Sequence, residues 1–390
     1  MTPRLPGLDL LRALAIAWVM LFHSFLVGGL GPDFAWLSRY GWMGVDIFFV
    51  LSGFLIGRQV LAPLARGEKL DFARFYARRA YRILPAFAVV LAIYLLWPAG
   101  REAPGLAPWW QFATFALNFT IDYSTQQAFS HAWSLCVEEH FYLLFPALAW
   151  ALARWPSARR VAALVALLAI GGVLLRAAIW WHFAGAGIER NWFVEEIYYP
   201  TYARLDGLLA GVVLAIVATY RPAWWARLTA RPNLLALGGL LGMALALWLF
   251  RQRTGALGNT LGWPVLSFAL AALVAAGATR QGVLGRLELP GAAWIATISF
   301  SLYLSHKLVF QWVSANFGGS LEGYGLLAFA VFAVATLAGG ALLHYSVERP
   351  FLRMRERRER QRTRPEPAPE PAPPIVVVLG ADTIGDTRAA

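Results

Sequence analysis

The chain has 390 residues, 59% of them hydrophobic and 14% charged, with a mean hydropathy of +0.54. So little polar side chain cannot cover the two or three water-exposed globules that this length would otherwise allow, and the composition is that of an integral membrane protein. The net charge of +12, from 34 basic against 22 acidic residues, is compatible with nucleic acid, anionic lipid, an anionic co-substrate or membrane topology alone. A single cysteine, Cys136, excludes an intramolecular disulfide framework and a Cys-rich metal site.

A hydrocarbon core of ~30 Å needs about 20 mostly apolar residues per helix. Ten windows meet that requirement, at 8–30, 41–61, 80–98, 131–153, 160–182, 198–219, 233–250, 260–279, 291–313 and 323–346. The first follows MTPRLPGLDLLRA without a small-residue cleavage signal, so a retained helix is expected. The aromatic stretch 107–121 is too short to cross comfortably and reads as interfacial or re-entrant. Strand alternation is missing, which argues against a β-barrel. With the N-terminus placed inside, 26 basic residues fall in inner loops and 6 in outer ones. The expected fold is therefore an all-α bundle of about ten transmembrane helices with both termini cytoplasmic. Residues 1–353 form the transmembrane domain, and 354–390 form a basic and then Pro-rich disordered tail (PEPAPEPAPP).

Ionisable groups within spans mark candidate functional sites, because the bilayer makes them costly. Arg12 and His23 are eleven residues apart, about 20° from three full turns and roughly 16 Å along a helix, so they share one face. Spacing alone leaves open a snorkelling Arg with a structural His. Asp46 in GWMGVDIFFVLSGFLIG either orients a histidine or pairs with an arginine. In FARFYARRAYRILP, Arg78 and Arg82 stand at i,i+4 beside Arg74 and Arg79, a pattern that suits a phosphate-rich ligand or a positive-inside anchor. SHAWSLCVEEHFYLLFP places Ser134, Glu138, Glu139 and His140 at the start of the fourth span, where the glutamates could equally serve a hydrated helix N-terminus. Arg204 with Asp206, His306 with Lys307, and His344 with Glu348 complete the polar set, and single histidines of this kind are more often structural. H-E-x-x-H, Walker A and G-x-S-x-G patterns are missing, so no metal is expected.

In order, RLPGLDLLRALAIAWVMLFH, GWMGVDIFFVLSGFLIG, FYARRAYRILP, SHAWSLCVEEHFYLLFP, RLDGLLAGVVLA, ISFSLYLSHKLVF and SVERPF resemble the membrane-bound acyltransferase family 3, the family of bacterial O-antigen acetylases and nodulation-factor acetyltransferases. The resemblance spans about residues 4–353. It implies that Arg12 and His23 form the family's Arg-x10-His motif, with His23 the proposed catalytic residue, and that Arg79 and Arg82 match its Arg-x-x-Arg pair, which handles the acyl-CoA donor. Glu138 and Glu139 match its WSL-VEE motif, with Cys136 and His140 where Ser and Gln are common. Several members carry a C-terminal SGNH hydrolase-like domain, which is not expected here.

The resulting expectation is a multi-pass protein of the bacterial inner membrane that moves an acyl group, most simply acetyl, from acetyl-CoA to a hydroxyl of a carbohydrate or lipid-linked glycan. His23 is the base, Asp46, Glu138 or Glu139 orients it, and Arg12, Arg78, Arg79 and Arg82 hold the donor. The partners are the bilayer and the glycan, nucleic acid has no place, and no oligomeric state follows. The alternative is a proton-coupled transporter or flippase of a glycolipid or small molecule built on the same intramembrane groups.

Overall fold

The computed structural model describes residues 4–29, 35–187, 189–322 and 325–362. Its main helices are α1 (Pro6–His23), α2 (Gly44–Ala65), α3 (Phe72–Leu96), α4 (Trp133–Arg154), α5 (Ala158–Phe183), α6 (Asp206–Tyr220), α7 (Pro222–Leu228), α8 (Pro232–Leu249), α9 (Trp263–Gly277), α10 (Ala292–Leu321), α11 (Leu326–Leu343) and α12 (Arg349–Arg362). Each of the ten predicted windows overlaps one of α1–α6 or α8–α11. Eight helical stretches among the described residues are long and apolar enough to cross a membrane, and α6 with α7, bent by 118°, adds a ninth if the pair is one span. α10 has the length, 30 residues, but Ser299, Ser301, Ser305, His306 and Lys307 interrupt its apolar run. The chain is thus an all-α integral membrane protein. The 107–121 stretch forms two short helices, Trp109–Ala113 and Leu117–Thr120, neither long enough to span.

Local chemistry sets several helix starts. Pro6, Pro222 and Pro232 occupy first-turn positions, where the missing N–H costs nothing. Asp71 caps α3 by accepting from the Arg74 N–H at 2.9 Å, and Ser157 caps α5 from Arg160 at 3.3 Å. α2 and α9 form the centre, with 56% and 67% of their spans buried, whereas α5 and α8 at 6% and 11% lie at the periphery with most of their residues exposed. Hydrocarbon supplies no hydrophobic drive between helices, so close packing through small residues does the work. A Cβ on Gly53 of α2 would sit 2.2 Å from the Leu208 carbonyl oxygen, and one on Gly211 of α6 would sit 2.2 Å from that of Val50. The two backbones meet there with no room for a side chain.

Buried ion pairs join the same elements. Arg204 Nη2 donates to Asp46 at 2.7 Å and Nη1 to the Tyr198 carbonyl at 3.0 Å. Its guanidinium is boxed by Trp263 at 3.9 Å, Tyr198 at 4.7 Å, Trp133 at 5.1 Å and Phe49 at 5.8 Å. Arg176 of α5 forms a bidentate pair with Asp206 at 2.7 and 2.9 Å, pinning α5 to α6. Asp46 is therefore spoken for by an arginine, which corrects the expectation that it orients His23. α11 passes through a π-helical turn, His344–Glu348, directly into α12, so the boundary expected at 353/354 falls within a continuous helix. Residues 354–362 are helical, and the Pro-rich segment lies outside the described residues.

An Asp46→Ala variant leaves the Arg204 guanidinium buried and uncompensated, at a cost of about 3–5 kcal/mol. The expected result is a lower melting temperature in detergent or loss of folded protein. Wild-type melting would contradict the structural role.

Candidate active site

Three histidines converge from three elements. His23 ends α1, His131 lies in a 3-10 turn, Ser130–Ala132, that leads into α4, and His306 sits midway along α10. The His306 ring stacks on His23 with centroids 4.9 Å apart, and His131 meets His306 edge-on at 4.8 Å. Their hydrogen bonds assign the protons. His306 Nδ1 lies 2.7 Å from the Tyr303 carbonyl, which can only accept, so Nδ1 carries the hydrogen. Neutral His306 then offers a lone pair at Nε2, 2.9 Å from His23 Nδ1, so His23 donates there. By elimination His23 Nε2 is bare, the state a general base needs.

His131 follows the same logic. Its Nε2 faces the Leu304 carbonyl at 3.4 Å, and its Nδ1 is buried without a hydrogen-bond partner. Beneath the rings, Tyr303 O–H donates to the His131 carbonyl at 2.6 Å and accepts from Ser134 Oγ at 2.6 Å. Lys307, next to His306, pairs with Glu102 at 3.4 Å. Glu102 also accepts from the Phe129 N–H at 3.0 Å and the Tyr94 hydroxyl at 2.8 Å.

A cavity of about 340 Å³ approaches this cluster from the opposite end of the bundle. Its charged lining is Arg12, Arg79, Arg82, Arg355 and Glu138, and Ser134 and Tyr303 also contribute to its wall. Successive turns of α4 mark its depth: Tyr142, then Glu138, then Ser134, about 12 Å in all. Glu138 accepts from Ser52 and from Tyr142, each at 2.8 Å, and the Arg79 guanidinium lies 5.7 Å from the Tyr142 ring. Arg12, 3.9 Å from Asp9, also lines a second cavity of about 260 Å³ with Arg4, Arg82 and His344.

The predicted residues therefore divide. His23 occupies the histidine cluster, and Arg12, Arg79 and Arg82 share one cavity. Glu138 lines that cavity but its oxygens serve α2 and α4, and it does not touch His23. Glu139 is outside the lining, with Oε1 buried and unbonded. His306, rather than a carboxylate, orients His23. Arg78 also departs from expectation: it points to α12, where its Nε and Nη2 bond Glu359 at 2.5 and 2.9 Å. His140 bonds Thr201 at 2.7 Å and stacks on Phe119.

Sequence reasoning undervalued His306 and passed over His131. The signal for His306 was the adjacent Lys307, since two ionisable residues in one span are costly together. His131 stood within the SHAWSL motif but before the helix, where no periodicity assigns it a face. Among the described residues, no three His, Cys, Asp or Glu side chains group as metal ligands.

Over most of its length the chain resembles known proteins. It is similar to O-acetyltransferase OatA of Staphylococcus aureus, 28% identical over 343 residues, covering 81% of this chain and 52% of that protein. It is also similar to peptidoglycan O-acetyltransferase OatA of Listeria monocytogenes, 28% identical over 228 residues, covering 54% of this chain and 34% of that protein. The chain thus spans about half the length of the Staphylococcus protein it matches, and less of the Listeria one. No solved structure matches it. The comparisons give no support to a transporter. The model of the family described as an acyltransferase domain matches residues 5–345, and the chain belongs to that family.

Proposed function

We propose that the protein transfers an acetyl group from acetyl-CoA to a hydroxyl of a carbohydrate or lipid-linked glycan, with His23 as general base. The carbonyl–His306–His23 chain carries this reading, because it leaves one imidazole nitrogen unprotonated at the end of a fixed relay. His23 Nε2 takes the acceptor's hydroxyl proton as the oxygen attacks the thioester carbon. The tetrahedral intermediate collapses, the C–S bond breaks, and the departing CoA thiolate recovers the proton from the imidazolium. The Nδ1–H bond to His306 holds the ring in place while it is charged.

The donor is assigned to the basic cavity. Arg12, Arg79 and Arg82 present guanidinium groups suited to phosphates, and a thioester arm reaching past Ser134 brings the acyl carbon toward the histidines. The basic loops support cytoplasmic termini in a bacterial inner membrane, and this reading turns the cavity to the cytoplasm that supplies acetyl-CoA and His23 toward the other side. The name of the Listeria relative makes a cell-wall glycan the first acceptor to try.

A His23→Ala variant should lose transfer to a glycan acceptor by at least about 10²-fold in proteoliposomes, with CoA affinity retained. A correctly inserted variant that transfers normally would sink the base assignment. His306→Ala should lower kcat by a similar order at unchanged donor KM, and His306→Gln, which keeps an acceptor for His23 Nδ1, should recover part of it. For Arg79→Ala and Arg82→Ala, the expected signature is a raised KM for acetyl-CoA; unchanged KM would leave them as topology anchors.

A further inference from the structure

The last described helix contributes to the basic cavity. Nine of the fourteen residues of α12 are charged, and one of its faces is covered: Leu352, Arg355 and Glu359 are half-buried at three- and four-residue spacing, and the residues between them are exposed. Arg355 stands in the cavity wall with Arg12, Arg79 and Arg82. Its Nε is buried without a hydrogen bond, and the neighbouring Glu356 carboxylate is 3.9 Å from Nη2, too far to bond it. Arg79 Nε is unbonded in the same way. Four guanidiniums thus face one carboxylate, Glu138, whose oxygens already accept from Ser52 and Tyr142. Like charges gathered at a cavity and held there by loose ion pairs, Arg12 to Asp9 and Arg355 to Glu356 at 3.9 Å each, are a site prepared for an anion.

The other half-buried charge on that face, Glu359, fixes where Arg355 stands. It takes both contacts from Arg78 of α3 at 2.5 and 2.9 Å, with Arg74 a further 3.9 Å away. One turn separates Glu359 from Arg355, so a clamp on the first sets the rotation of the second. The Arg358 guanidinium adds a hydrogen bond to the Tyr81 hydroxyl on α3.

We propose that Arg355 is a phosphate ligand of the CoA donor and that the Arg78–Glu359 pair positions it, so that the C-terminal helix completes the donor site. This rests on the CoA reading above. Arg78 then serves the donor indirectly, which gives its place in the arginine cluster a reason although it does not face the cavity.

The test is binding to the purified full-length chain in detergent, measured with CoA, 3′-dephospho-CoA and pantetheine as probes. Arg355→Ala should weaken CoA about tenfold, with an unchanged melting temperature, and Arg355→Lys should keep most of the affinity. If the loss is confined to CoA, Arg355 holds the 3′-phosphate; if 3′-dephospho-CoA is weakened too and pantetheine is not, it holds the diphosphate. Equal loss for all three probes, or none, overturns the assignment. Glu359→Gln should weaken CoA in the wild-type background and have no additional effect on Arg355→Ala; an equal effect in both backgrounds, or none in either, overturns the positioning role. A wild-type chain that binds no CoA would instead refute the donor reading itself.

Discussion

Hydrocarbon cannot solvate a charge, so every guanidinium and carboxylate within the bundle must find its partner in the protein. This constraint sorts the arginines. Arg204 and Arg176 meet it fully, each with a carboxylate and a backbone carbonyl from another part of the chain, and they join α2, α5 and α6 into one body. Arg253 meets it through aromatic faces, 4.5 Å from the Tyr198 ring and 5.0 Å from Trp42. Arg12, Arg79, Arg82 and Arg355 stand apart because they converge on a cavity with one carboxylate among them. The demand for partners thus builds the scaffold where it is fully met and leaves a candidate site where it is only loosely met.

The same principle governs the histidines at the other end. A backbone carbonyl has no proton to give, and that single fact propagates through two rings to leave His23 Nε2 bare. A carboxylate in the place of His306 would also hold the ring, but it would bring a negative charge into a region already occupied by the Lys307–Glu102 pair. A neutral imidazole orients His23 without adding charge to the span. α10 supplies Tyr303, His306 and Lys307 to this arrangement, which explains why polar residues interrupt its apolar run.

Span positions were legible because length and apolarity are local properties, and each window overlaps a helix. The Arg12, Arg79, Arg82 group and His23 were legible from motif and helical spacing. Partner choice was not. His23 and His306 are 283 residues apart, and Asp46 and Arg204 158, so no periodicity links them. Arg78 and Arg82 share a face by spacing, yet Arg78 leaves the cavity because α12 supplies a carboxylate to one side of α3. From residue 354 that helix reads in the sequence as tail, since a run such as RMRERRERQR has no apolar stripe to announce that it docks.

Ser134 and Tyr303 belong to the cavity wall, whereas the three histidines do not. The hydroxyl pair, bonded at 2.6 Å, therefore lies in the chamber's wall, and Tyr303 reaches from it to the His131 carbonyl. A membrane that stores a proton gradient is short-circuited by any continuous file of water across it. On the proposed function, an acyl arm from the chamber passes this bond on its way to His23, and its own hydrocarbon and amide groups fill the passage as it does so. On that reading, the contact that admits the arm is also the one that closes the passage to water between turnovers.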